Sequence, residues 1–237
     1  MNTPRPISSR LQRLAALLIA GMAILILVAL HHHPVVGHSA EAQDRYVQMA
    51  QLRTMDNLVH GALMAMLVVL ATALAVLNTV LEARQPVLRW ALAAYCLGCA
   101  LLGLAMLFDG FVVPRLAEGL AAAQPIDAAA GAPVMLAIGA AIQVFSKAGL
   151  IAHGTAMLAW SCATAASRQV LPGLRWFPAI GVTAALPSTA LLLFADLRLT
   201  PHSLMAIFVT HALWYLAVAW LLYRGAAPQP SSVMRTS

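Results

Sequence analysis

Lys147 stands deep inside the apolar stretch 134–165, and a charged side chain near a bilayer centre costs on the order of 3 kcal/mol to insert. Such a group faces a partner or a wet cavity. Placed on a helix, Gln143, Ser146, Lys147, His153, Gly154 and Ser161 share one stripe, with Val144, Phe145, Ala148, Ile151, Ala152 and Leu158 opposite. That stripe has the chemistry to pass a small solute, an ion or a proton. The plainer reading is a Lys147 held in a structural ion pair. Asp109, near the end of the preceding apolar stretch, is its expected partner, because consecutive helices tend to be neighbours and a lysine stem can reach toward the interface. An Asp109 that only meets headgroups is the alternative.

His153 and His211 form a second constellation. Counted from Arg168 and Arg224 they lie at nearly the same depth. Two imidazoles on facing helices can ligate a haem iron or relay protons. Gly149, Ala152, Gly154 and Ala156 would leave a groove for a macrocycle, although small residues at this spacing also serve plain helix packing. A lone histidine bonded to a carbonyl is the commoner arrangement.

A third set gathers toward one end of the apolar stretches: His31, His32, His33, His38, His60 and His202, with Asp56, Asp109 and Asp196 within reach. Imidazoles with carboxylates suit divalent metal ions. The spacing matches no defined metal motif. Cys96 and Cys99 share a helix face inside a span, and with Cys162 they read as small packing residues. No G-x-S-x-G, Walker, Rossmann or H-E-x-x-H pattern occurs.

The elements that carry these residues follow from composition. The chain has 237 residues, 62% hydrophobic and 9% charged. A soluble domain carries roughly 25% charge, and one with so little could not cover its own surface. In lipid the surface may be apolar, provided backbone groups pair within each segment, which selects helices. The expected fold is therefore all-α: a polytopic integral membrane bundle of about six helices, at 14–30, 58–81, 90–113, 134–165, 176–195 and 203–223. Residues 1–13 form an N-terminal segment, 14–224 one transmembrane domain, and 225–237 a Pro/Ser-rich disordered tail. Ala40-Glu41-Ala42 resembles a signal-peptidase site, but it lies far beyond the first apolar run, so an uncleaved anchor is expected. Residues 41–52 suggest a short interfacial helix, Pro114 the end of the third span, and Pro187 a kink compensated by Ser188 and Thr189. The fourth span is over-long and should tilt or project.

The net charge is +6. With the N-terminus inside, Arg5, Arg10, Arg13, Arg84, Arg89, Arg168, Arg175, Arg224 and Arg235 are cytoplasmic, and only Arg45, Arg53, Arg115 and Arg198 are outside. Nine against four fits the positive-inside rule, with both termini cytoplasmic in a cell inner membrane. The arginines form no basic stripe interleaved with aromatics, which excludes a nucleic-acid partner. The expected partner is the bilayer, with a membrane protein or a second copy as further options. Val59-His60, Ala152-His153 and Thr210-His211 also hint at a threefold helical-hairpin repeat. The functional expectation is a transport or transport-accessory role for a small solute, ion or proton. A haem- or metal-binding redox protein and a non-catalytic scaffold subunit stand as alternatives. No cofactor is evident, with haem or a divalent metal as options, and a membrane enzyme finds no nucleophile–base pattern.

Overall fold

Among the residues described by the computed structural model (7–34, 41–81, 85–124, 129–166, 176–195 and 197–225), six helices are long and apolar enough to cross a membrane. They are α1 (Ser9–His31), α2 (Ala42–Val80), α3 (Pro86–Leu107) with its continuation, α5 (Ala132–Ala166), α6 (Phe177–Phe194) and α7 (Pro201–Gly225). A π-helical turn, Phe108–Val112, joins α3 to α4 (Val113–Ala121) without a break. Local signals set the starts. The Ser8 hydroxyl accepts the Leu11 N–H at 3.3 Å, and Pro86 and Pro201 open α3 and α7, where a missing N–H costs nothing.

The helices close into a ring in chain order. α1 packs on α2, α2 on α3, α3 on α5, α5 on α6, α6 on α7, and α7 returns to α1. The α3–α5 contact is the closest, because Gly98 and Gly149 face each other across it. A Cβ at Gly98 would meet His153 and the Gly149 carbonyl. Lipid supplies no hydrophobic drive between helices, so such close packing and interhelical hydrogen bonds must hold the bundle. The bonds cross the middle of the ring. Trp160 Nε1 donates to Asn78 Oδ1 at 3.0 Å, Trp214 Nε1 donates to Ser161 Oγ at 3.0 Å, and the Tyr95 and Tyr215 hydroxyls share a bond at 2.9 Å. The Trp160 and Trp214 rings stack between them at 5.7 Å.

One end of the ring carries a cap. α2 is 39 residues long, about 58 Å against a hydrocarbon core of about 30 Å. Its first half projects with α4 and the start of α5. Tyr46 and Ala117 are buried there against Met49, Leu120 and Met135. Gln43 donates to the Ala121 carbonyl at 2.7 Å, and Arg53 pairs with Glu118 at 2.6 Å. At the other end the aromatics Trp90, Trp176, Trp220 and Tyr223 are exposed, with Arg224 over Trp220 and Arg13 over Tyr223.

Three local expectations need correction. Residues 41–52 are not a separate interfacial helix but the first turns of α2, since no Pro or Gly interrupts 41–58. Pro114 does not end the third span, because it falls in the first turn of α4, after the π turn has already displaced the hydrogen-bond ladder. Around Pro187 neither residue reaches the freed Thr183 carbonyl: Ser188 donates to the Ala185 carbonyl at 3.1 Å, and Thr189 Oγ1 turns to Gly154. The projecting start of α5 accounts for the over-long fourth span. The turns expected at 82–84, at 167–175 and at Asp196, His38, and the tail 226–237 lie outside the described residues.

Candidate functional site

Two polar layers interrupt the apolar packing. The first is deep in the ring. The His153 ring stacks on Tyr95 at 4.2 Å and 5°, and its Nε2 lies 3.4 Å from Cys99 Sγ. His211 Nε2 lies 3.4 Å from Ser188 Oγ. The two histidines are fully buried on α5 and α7 as their matched depth suggested, but each Nε2 already meets a neighbour and Tyr95 covers one face of His153. Cys99 is thus more than a packing residue, whereas Cys96 and Cys162 are exposed on the bundle surface.

The second layer lies where the cap meets the ring. His33 follows the end of α1, His60 sits on α2, and Asp109 belongs to the π turn. His60 Nε2 is 3.3 Å from His33 Nε2 and 3.3 Å from Asp109 Oδ2. The three ligand-type atoms all lie within 4.8 Å of one another. His60 is buried, His33 partly so, and the Asp109 side chain is 41% exposed.

Hydrogen bonds on the far side of each ring define the tautomers. His33 Nδ1 is 2.8 Å from the Pro34 carbonyl, and His60 Nδ1 is 2.9 Å from the Asp56 carbonyl. A carbonyl only accepts, so both Nδ1 atoms carry a proton; each Nε2 presents a lone pair when its ring is neutral, and His60 Nε2 donates to Asp109 when the ring is charged. The Asp56 carboxylate, 3.3 Å from His60 Nδ1, reinforces this. Three ligand-type atoms, two imidazole nitrogens and a carboxylate oxygen, therefore face one another.

The π turn aims the carboxylate. Val113 N–H bonds to the Phe108 carbonyl five residues back. Pro114 has no N–H for the Gly110 carbonyl, which an α-helix would have bonded there. With its amide nitrogen turned inward, Asn57 donates to that carbonyl at 2.5 Å and to the Arg53 carbonyl at 3.1 Å. Gly110 also lets the turn press against the His60 ring, where any Cβ would overlap it. π turns of this kind occur often at functional sites. Beside the cluster is a cavity of about 60 Å³, lined on its polar side by His33, His60, Asp109 and Ser146 and walled by residues such as Leu102 and Phe208. That volume accommodates water.

The other candidates scatter. Gln143 is a clamp: its amide donates to the Leu199 carbonyl at 2.9 Å and its oxygen accepts the Leu199 N–H at 2.8 Å. Ser146 reaches the cavity, while Lys147 is partly buried one residue on. Asp109 forms its ion pair with His60, and among the described residues no ion pair joins it to Lys147. His31 and His32 are exposed and stack edge to face at 5.1 Å, and His202 is exposed at the start of α7. Asp56 does lie beside His60, as its position in the sequence suggests; Asn57 and the π turn carry no sequence pattern of their own beyond Pro114, four residues after Gly110. Comparison with protein-family models, with curated proteins and with solved structures finds no match.

Proposed function

We propose that this is a membrane transport or transport-accessory protein that takes up a small cation at the capped end of its bundle. The observation that carries this reading is the convergence of His33 Nε2, His60 Nε2 and Asp109 Oδ2, three ligand-type atoms that a cation can engage in place of a proton on His60 Nε2. With both rings neutral their lone pairs and the carboxylate repel at this range, and a proton or another cation among them turns the repulsion into attraction. The cavity beside them, with Ser146 on its polar side, gives such an ion room to arrive hydrated.

The capped end is read as external. The sequence on that side holds four arginines, Arg45, Arg53, Arg115 and Arg198, against nine on the other, which include Arg10, Arg13, Arg89 and Arg224 beside the exposed tryptophans. Both termini are then cytoplasmic, in a cell inner membrane. Alkaline phosphatase fused after Ser237 is expected to be inactive, and an active fusion reverses the orientation. The functional test is cation flux in proteoliposomes, with the full chain compared to His60→Gln. Flux, or cation-dependent stimulation of a co-reconstituted carrier, should depend on His60. Equal behaviour of the two chains would remove the reading.

A further inference from the structure

Resting on that reading, we propose that His33, His60 and Asp109 hold one divalent transition-metal ion of the zinc class in a tetrahedral site whose fourth ligand is a water from the adjoining cavity. The argument is geometric. Both measured edges of the cluster are 3.3 Å. Ordinary hydrogen bonds between such atoms are shorter, with N–H···O near ~2.9 Å. Zinc–nitrogen and zinc–oxygen bonds are ~2.05 Å, and a tetrahedron of such bonds has edges of ~3.3 Å. An octahedron or square plane of the same bonds has adjacent edges of ~2.9 Å, further from the distances found. The third edge, from His33 to Asp109, lies within 4.8 Å and closes by a swing of the half-exposed Asp109 side chain.

The ligand types narrow the ion further. Calcium and magnesium take oxygen donors, so two imidazoles disfavour them. Cuprous ion prefers thiolate and thioether; none of the three ligand atoms is sulfur, although the Met106 thioether lines the cavity. Two neutral imidazoles and one carboxylate suit Zn²⁺ or Co²⁺. Each imidazole is also braced on its far nitrogen by a carbonyl, with Asp56 behind His60, as metal-bound histidines usually are. Three protein ligands and an open position distinguish a site that exchanges its ion from a closed structural one.

The test uses the full chain in detergent, purified without a polyhistidine tag, with His31→Gln and His32→Gln in every protein to remove background imidazoles. Co²⁺ titration followed by visible absorption should give one equivalent with intense tetrahedral bands, displaced by Zn²⁺ and untouched by excess Mg²⁺ or Ca²⁺. His33→Gln, His60→Gln and Asp109→Asn should each weaken binding by about 100-fold or more, and Asp56→Asn by about 10-fold. His33 lies outside the helices, so its variant tests the site even where His60→Gln folds poorly. Weak, pink octahedral spectra, or affinities equal in wild type and His33→Gln, overturn the metal assignment. If proteoliposome flux still depends on His60 in that event, the broader cation reading stands. If neither binding nor flux depends on it, both fall.

Discussion

The two polar layers of this bundle obey opposite rules. Deep in the ring, donors meet acceptors: indole N–H groups find Asn78 and Ser161, and two tyrosine hydroxyls find each other. Below the cap, His33, His60 and Asp109 turn three ligand-type atoms toward one another. The indole and phenol bonds of the first are made within the protein and serve as glue between helices that lipid would not otherwise drive together, although His153 Nδ1, His211 Nδ1 and Thr189 Oγ1 stay buried without a hydrogen bond there. The second is the one proposed to take a cation from outside. A buried polar group is therefore not a functional signal by its presence alone; what decides is whether its partners in the fold can satisfy it.

That contrast can be broken at several points. The largest effect is expected at Gly98→Val, whose side chain would run into His153 and the Gly149 backbone. Such overpacking should cost about 3 kcal/mol or more and empty the folded peak in detergent gel filtration. Normal yield and midpoint would show that α3 and α5 do not pack as described. Next is the response to zinc. Free Zn²⁺ about 100-fold above its Kd adds about 2.7 kcal/mol to any protein that binds it only when folded. A rise in thermal midpoint is expected for wild type and not for His60→Gln, while Trp160→Phe should shift as wild type does. A smaller effect is expected at the deep layer. Asn78→Leu leaves the Trp160 N–H unsatisfied and should cost about 1–2 kcal/mol, and adding Trp160→Phe should recover part of it. Losses that simply add would mean the bond is not made.

The sequence made the class of fold plain, because charge is scarce and the apolar runs are long enough to span a bilayer. It did not show where α2 and α5 leave the lipid, since their projecting turns keep helical patterning without a breaker. The site was half legible. His33, His60 and Asp109 were all among the candidates, but so were His31, His32, His38 and His202, and no local spacing joins residues brought together from three helices. Selection required the π turn, which depends on Asn57 reaching a carbonyl on another helix. Lys147 drew attention through charge alone, whereas Asn78 and Trp160, which tie α2 to α5, carry no unusual pattern.

The most direct measurement is zinc K-edge X-ray absorption on the full chain loaded with one equivalent of Zn²⁺, lacking His31 and His32 and any polyhistidine tag. The account predicts four nitrogen or oxygen neighbours at about 2.0–2.1 Å, with outer-shell scattering from imidazole rings that diminishes in His33→Gln. Six oxygen neighbours without imidazole scattering, or a spectrum identical in His33→Gln, would contradict it.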